Sequence, residues 1–300
     1  MNFSGNFVDS ILPDKIAKLN VSFLVDKLDK SYGGTAGNIA YSLGLLEAKV
    51  GVIGAAGSDF ESYKLFLNKH CVDTENIKIV SNKYTSTAFC VTDQNSNQIW
   101  GFYPGADEDA ISMHLKNVKD DVSLVIIAPN NPEVMMSRVS ECKELGLPYM
   151  FDPGMQLPRL SNEDLTEAIE KAYIVIGNDY ETEIMQKRLG ISDLHTLAND
   201  KCIVITTLGS EGMIASDGVS KHTIRAATVS SVIDPSGAGD SFRSGLVAGL
   251  QRGLSLETAC EMGAIAAAYV VENQGATSHE YTLEKFIKRY YENYNKELIL

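Results

Sequence analysis

The segment VSLVIIAPNNPEVMMSRVSECKELGLPYMFD (Val122–Asp152) carries two apolar runs separated by an amphipathic stretch. "VSLVIIAP" (122–129) and "LPYMFD" (147–152) lack polar alternation, as strands covered on both faces must. Between them, Asn131 precedes a proline at the first helical position, and the apolar spacing up to residue 146 predicts a helix. A strand, a helix and a second strand in this order make a unit of parallel sheet with a helix packed on it.

The same pattern spreads outward from this unit. "AKVGVIGAA" (48–56), "AYIVIG" (172–177) and "KCIVITT" (201–207) read as further covered strands. Residues 60–70 and 161–171 read as helices, the second opened by Ser161 with an acid three residues on. The expectation is an α/β fold, a mostly parallel sheet with helices on both faces, in one domain spanning residues 1–300. Two regions break the rhythm. "TSTAFCVTDQNSNQIWGFYPG" (85–105) alternates around a polar turn and predicts a hairpin. Residues 16–31 favour β or irregular structure, with Val21, Phe23 and Val25 on one face. Together they predict a small β lid, roughly residues 12–34 and 83–105, hinged at Gly33 and Gly34. Beyond Ser255 the chain reads as helical, and Gly263, Ala264, Ala267 and Ala268 form a small-residue stripe suited to close helix packing in the core.

Composition narrows the function. A hydrophobic fraction of 44% and a charged fraction of 22% are those of a folding globule. With 26 Lys and Arg against 39 Asp and Glu, the net charge of −13 repels nucleic acid and anionic lipid, so neither is an expected partner. An anionic ligand must be held by local devices such as backbone amides and cations. The five cysteines form no C-x-x-C pair and read as reduced thiols of a cytoplasmic protein. No targeting segment or membrane-length apolar run is evident.

The chemistry points to "DPSGAGDSF" (Asp234–Phe242), where small residues lead into a predicted helix. The first amides of a helix lack intrahelical partners and carry partial positive charge, so Gly237, Ala238 and Gly239 predict an anion site that ligand atoms can approach. Asp240 falls in the first helical turn beside it. A carboxylate there can take a proton from an alcohol while neighbouring amides stabilise a transferring phosphoryl group. A plain stabilising acid at a helix start is the competing reading.

"DPSGAGDSFRSGLV" (234–247) and "GGTAGNIAYSLGLLEAKVGVIGAAG" (33–57) resemble the two signatures of the PfkB, or ribokinase-like, family of sugar and nucleoside kinases. The resemblance runs over nearly the whole chain. It implies a ribokinase-like three-layer α/β/α sandwich with a β lid, Asp240 as catalytic base, Gly237 to Gly239 as anion hole, and Gly33, Gly34 and Asn38 at the substrate. One position departs: Glu47 stands where the signature has Gly or Ser after the first helix, a change of cap rather than of chemistry.

The family's N-x-x-E element is matched by Asn178 and Glu181, implying Mg²⁺ positioned on phosphates largely through water, although the same residues suit a helix N-terminus. "TTLGSEGM" (206–213) resembles the nucleotide loop, placing Thr207, Gly209 and Gly212 along ATP and Asn273 near adenine; a hairpin turn is the alternative. A Walker A motif and a strand-linked GxGxxG are absent. "ILPDKIAKLNVSFLV", "NQIWGFYPGA" and "DPGMQLP" are most similar to bacterial nucleoside kinases of the adenosine kinase type. Aromatic lid residues Phe23, Phe89, Phe102 and Tyr103 suit stacking on a base, or a small core of the lid itself.

The resemblance implies an ATP-dependent kinase of a nucleoside 5′-hydroxyl, adenosine first, with Mg²⁺ and a monovalent cation such as K⁺, acting as monomer or homodimer. A ribokinase- or fructokinase-like sugar kinase and a non-catalytic nucleoside-binding relative are the alternatives. The family pattern begins with a strand ending in a sugar-binding Asp, and this chain starts just beyond that point. The expectation is an internal Met1, a reading frame beginning upstream and a central sheet short of one strand, at a cost that could exceed the roughly 5–15 kcal/mol stability of a domain. Asp9 and Asp14 are the nearest acids, and no motif assigns either to the role.

Overall fold

The computed structural model describes all residues except 12–17, 19 and 96; the first residues of the expected lid and Asp14 lie outside the described residues. In chain order the elements are β1 (Asn2–Phe3), α1 (Phe7–Ser10), β2 (Val25–Lys27), α2 (Thr35–Leu45), β3 (Val50–Gly51), β4 (Gly54–Gly57), α3 (Glu61–Lys69), β5 (Val72–Asp73), β6 (Ile77–Val80), β7 (Thr87–Thr92), β8 (Gln98–Tyr103) and β9 (Val125–Ile127). They continue as α4 (Pro132–Leu145), β10 (Tyr149–Phe151), α5 (Asn162–Glu170), β11 (Ile174–Asn178), α6 (Asp179–Leu189), β12 (Ile203–Thr207), β13 (Met213–Ser216), β14 (Lys221–Ile224), α7 (Ala238–Gln251), α8 (Leu256–Val271) and α9 (Leu283–Tyr294).

Strands β9 to β12 lie parallel and side by side, and β13 and β14 complete a six-stranded sheet in antiparallel fashion. Successive side chains leave a strand on opposite faces. Ile174, Ile176, Ile203 and Ile205 accordingly pack with residues of α2, α7, α8 and α9. Tyr149, Phe151, Val175 and Val204 pack with residues of α4, α5 and α6. Apolar residues on both faces of each strand therefore produce three layers, an α/β/α sandwich. α4 starts with Pro132 behind an Asn131 cap, and Ser161 with Asp164 forms a reciprocal cap on α5.

The run 48–56 is not one strand. It breaks into β3, paired with β5, and β4, paired with β6, both parallel. Among the described residues, β4 pairs only with β6 and β9 only with β10.

The second sheet has the order β2-β1-β7-β8. The hairpin of β7 and β8 is antiparallel with a polar turn, and among the described residues it does not pair directly with β2 of the 16–31 region. β1 lies between them, antiparallel to β2 and parallel to β7, and the amino group of Met1 donates to the Cys90 carbonyl at 3.0 Å. A two-residue strand carries no periodicity, which is why Asn2–Phe3 escaped the sequence pattern.

Helix α2 ends in a motif that depends on residue 47. The Glu47 amide donates to the Gly44 carbonyl at 3.0 Å and the Ala48 amide to Leu43 at 3.1 Å, the paired bonds of a Schellman cap. Glu47 occupies its left-handed position with φ of 54°, a conformation that penalises any residue with a Cβ by about 1–2 kcal/mol. Glu47→Gly removes that penalty and regains some unfolded-state entropy, so we expect a net stabilisation of about 0.5–1 kcal/mol, seen as a higher urea midpoint at unchanged slope.

Candidate active site

Two helix starts converge on Asp240. In the first turn of α2, Asn38 donates through Nδ2 to Asp240 Oδ2 at 2.7 Å. Behind this contact the helices are held together by short side chains: Ser42 Oγ lies 2.8 Å from Ser241 Oγ, and Ser244 donates to the Ile39 carbonyl at 2.9 Å. Gly237 caps α7 with φ of 82°, and a Cβ there would stand 2.5 Å from that of Ala276, so the position admits glycine on both counts. Asp234 fixes the approach to α7, accepting from the amides of Ser236 and Gly275, each at 2.9 Å, and from Gln274 Nε2 at 2.8 Å. Burial pushes the Asp234 carboxyl up, but those donors hold it below the ordinary carboxylate range.

The expected anion hole is partly engaged. The Ala238 amide donates to the Pro235 carbonyl at 3.2 Å, whereas the Gly237 and Gly239 amides have no backbone acceptor among the described residues. Asp240 is half-buried, and burial raises its carboxyl above the ordinary value; the Asn38 donor and the Arg243 guanidinium pull it back, and Asp152 pushes it up. Asn38 is 7% exposed, and its Oδ1 is sealed without a partner among the described residues. A buried acceptor left unpaired beside a carboxylate costs the fold about 1–3 kcal/mol.

The parallel strands present their carboxyl ends to the same rim, where ligands bind in open α/β sheets. Asp152 follows β10, and Asn178 and Thr207 pair in register at the ends of β11 and β12. Asn178 and Glu181 form a reciprocal cap on α6: Asn178 Oδ1 accepts the Glu181 amide at 2.8 Å, and Glu181 Oε2 accepts the Asn178 amide at 2.9 Å. Burial raises the Glu181 carboxyl. Thr207 leads into a hairpin turn between β12 and β13 in which Leu208 donates to the Gly212 carbonyl at 2.8 Å, and Gly209 and Gly212 have positive φ. Asn273 Nδ2 donates to the Tyr269 carbonyl at 2.8 Å, closing the end of α8.

The lid aromatics divide. Phe23 packs against Phe3 and Phe7, with ring centroids 4.9 and 5.0 Å away. Register pairs Ala88 with Phe102 and Phe89 with Gly101, so Phe89 and Phe102 leave the hairpin on opposite faces and cannot flank one ligand together. Both are more than half exposed. Tyr103 shares the Phe89 face. At the expected hinge, Gly34 caps α2 with φ of 87°, and the Gly33 carbonyl accepts from Tyr63 at 3.0 Å.

Several residues went unnoticed in the sequence. Tyr32 and Tyr63 stack at 4.5 Å with planes 3° apart, and burial, Tyr32 and Asp240 together raise the Tyr63 hydroxyl. Arg243 and Asp152 form a buried ion pair beside Asp240. The i+3 spacing of Arg243 from Asp240 was the available signal for the first partner; nothing in sequence pointed to the second. Replacing Asn38 by Ala removes the donor that favours ionised Asp240, so the Asp240 titration followed by carboxyl-carbon NMR moves to higher pH.

Residues 6–282 match the pfkB family carbohydrate kinase. A nucleoside kinase of Methanothermobacter thermautotrophicus is 30% identical over 286 residues, covering 92% of this chain and 90% of that protein. The nucleoside kinase of Burkholderia thailandensis in complex with inosine superimposes with a TM-score of 0.88 at 29% identity, covering 99% of this chain and 96% of the other. That of Methanocaldococcus jannaschii, an archaeal member of the ribokinase family, gives 0.84 at 27% identity, covering 97% and 94%. A match that passes through both helix starts and most of both sheets leaves one conclusion: the chain belongs to the pfkB carbohydrate kinase family, enzymes that move a phosphoryl group from ATP onto an alcohol.

Proposed function

We propose that this protein is an ATP-dependent nucleoside kinase acting on the 5′-hydroxyl of a purine nucleoside, with adenosine and inosine as first candidates. The observation that carries the reading is half-buried Asp240, held by Asn38 in the first turn of α7 beside the Gly237 and Gly239 amides, which have no backbone acceptor among the described residues. The nucleoside kinases among its relatives, one of them solved with inosine, support the substrate class.

The acceptor hydroxyl meets Asp240 Oδ1, the carboxylate oxygen that accepts no hydrogen bond among the described residues, while Asn38 holds Oδ2. Asp240 takes its proton, the freed oxygen forms a bond to the γ-phosphorus, and the bond from that phosphorus to the ADP oxygen breaks. The amides of Gly237 and Gly239 face the charge that develops on the phosphoryl oxygens. The β2-β1-β7-β8 sheet covers the nucleoside, with Phe89 or Phe102 against the base, and the Gly33–Gly34 step allows closure. Thr207, Gly209, Gly212 and Asn273 border ATP. Since the ADP leaving group and γ-phosphate are anionic, Mg²⁺ supplies charge neutralisation when bound. Glu181 fits a hard cation hydrated on most sides: its Oε2 is held by the cap, and Oε1 accepts no hydrogen bond among the described residues. Asn178 fixes that carboxylate. No helix among the described residues is long and apolar enough to cross a membrane, and the described cysteines are free thiols, in keeping with a cytoplasmic enzyme.

The deciding experiment measures ADP release with Mg²⁺ and ATP against adenosine, inosine, cytidine, ribose and fructose. Turnover on a nucleoside supports the reading; turnover on ribose or fructose alone replaces it with a sugar kinase, and nucleoside binding without ADP release with a binding protein. Repeating it with and without K⁺ reads out the monovalent-cation dependence.

Asp240→Asn is expected to lower kcat about 10²–10⁴-fold with nucleoside binding retained. In the native enzyme, kcat/KM falls with acid through a free-enzyme pKa above the ordinary carboxylate range, because protonated Asp240 cannot act as base. The same shift has a stability sign. A carboxyl with a raised folded pKa favours the fold below its unfolded pKa, and that contribution is lost as pH rises through the folded pKa. Asp240→Asn therefore raises the unfolding temperature at pH 7 and leaves little gain at pH 3, a contrast that calorimetry measures. Glu181→Gln is expected to raise the Mg²⁺ concentration for half-maximal rate with nucleoside binding unchanged, as read by metal titration.

A further inference from the structure

We propose that Arg243 is a charged member of the anion site, clamped from behind by Asp152 so that Nη1 meets the phosphoryl group during transfer. The inference rests on the reading of the α7 start as the phosphate cradle.

Side chains on a helix lean toward its N-terminus, and residues four apart share a face. Arg243 lies four residues after Gly239, so its guanidinium runs back along α7 toward the open amides. A Cβ on Gly239 would stand 2.8 Å from Arg243 Nη1. The glycine is therefore needed for the guanidinium as well as for ligand approach.

The three guanidinium nitrogens differ in their partners. Nη2 donates to Asp152 Oδ1 at 2.8 Å, and Nε lies 2.5 Å from Oδ2. Nη1 has no protein acceptor among the described residues, and unlike Nε it is not sealed from the surface. Arg243 is 8% exposed and Asp152 1%, so one face of the guanidinium is fixed in the interior and one nitrogen is left at the anion site.

A buried ion pair is a weak stabilising device, since apolar residues of the same volume often serve a fold as well. Its placement here answers a charge problem instead. Asp240, Asp152 and Glu181 all influence Arg243, giving three carboxylates around one cation in a chain of net charge −13. A triphosphate entering such a rim needs a fixed positive group close to the transferring oxygens. The planar fork of arginine holds a carboxylate with two nitrogens and keeps a third free, which a lysine ammonium cannot reproduce.

The test compares Arg243→Gln and Arg243→Lys with wild-type and Asp240→Asn enzyme, measuring kcat, KM for both substrates, nucleoside and ADP binding by calorimetry, and binding of ADP with aluminium fluoride and nucleoside as a mimic of the transferring phosphoryl group. The expected result for Arg243→Gln is a loss of about 10²–10³-fold in kcat, as for one oxyanion-hole donor. Nucleoside and ADP affinities stay near wild type, and the aluminium fluoride complex is lost selectively. Arg243→Lys, which keeps a cation for Asp152 should the glutamine variant fail to fold, is expected to lose about tenfold or more in kcat and to weaken the same complex. Wild-type kcat in either variant, or equal loss of ground-state and aluminium fluoride binding, overturns the proposal. If Asp240→Asn abolishes turnover while Arg243→Gln does not, the proposal fails and the cradle stands; if Asp240→Asn also turns over normally, the cradle reading itself fails.

Discussion

The site depends on holding two helix starts against each other. The amino ends of α2 and α7 both carry partial positive charge, so their approach is unfavourable unless an anion lies between them. Asp240 is that anion, and Asn38 meets it from the opposite helix at 2.7 Å. The approach is possible because the contact behind it is built from Ser42, Ser241 and Ser244, whose hydroxyls satisfy one another and the Ile39 carbonyl. Larger side chains there would separate the helices and leave the carboxylate facing water.

In the proposed reaction this geometry trades stability for chemistry. Burying a carboxylate raises its proton affinity, which is useful in a base and costly in a fold. Asn38 and Arg243 offset part of the cost, and Asp152 ties the arginine to the end of β10. The central sheet, the first turn of α7 and Asp240 are thereby mechanically linked. A change at Asp152 would reach Asp240 without touching substrate.

The second sheet is organised differently. Its interior is the Phe3, Phe7 and Phe23 cluster, and the β7–β8 hairpin projects with aromatic residues exposed on both faces. Asp93 braces the turn region by accepting from the Phe7 amide at 3.0 Å and from the Asn95 and Asn97 amides, each at 2.9 Å.

Apolar strand runs, the caps at Asn131 and Ser161, the hairpin and the two glycine-rich signatures are local patterns, and each could be read without knowing what lay opposite. The three-layer fold and the position of Asp240 at a helix start followed from them. The splitting of residues 48–56 into two pairs, the insertion of Asn2–Phe3 into the lid sheet and the opposed faces of Phe89 and Phe102 did not, since pairing and register are set between distant segments. The same holds for the site. Asn178 and Glu181 show their cap in the sequence because they are three residues apart, whereas Asn38 with Asp240 and Arg243 with Asp152 are partners 202 and 91 residues apart. Sequence thus determined which groups could do chemistry; only the packed structure decided which of them share a low-dielectric space, because desolvation and charge pairing act through distance in space rather than distance along the chain.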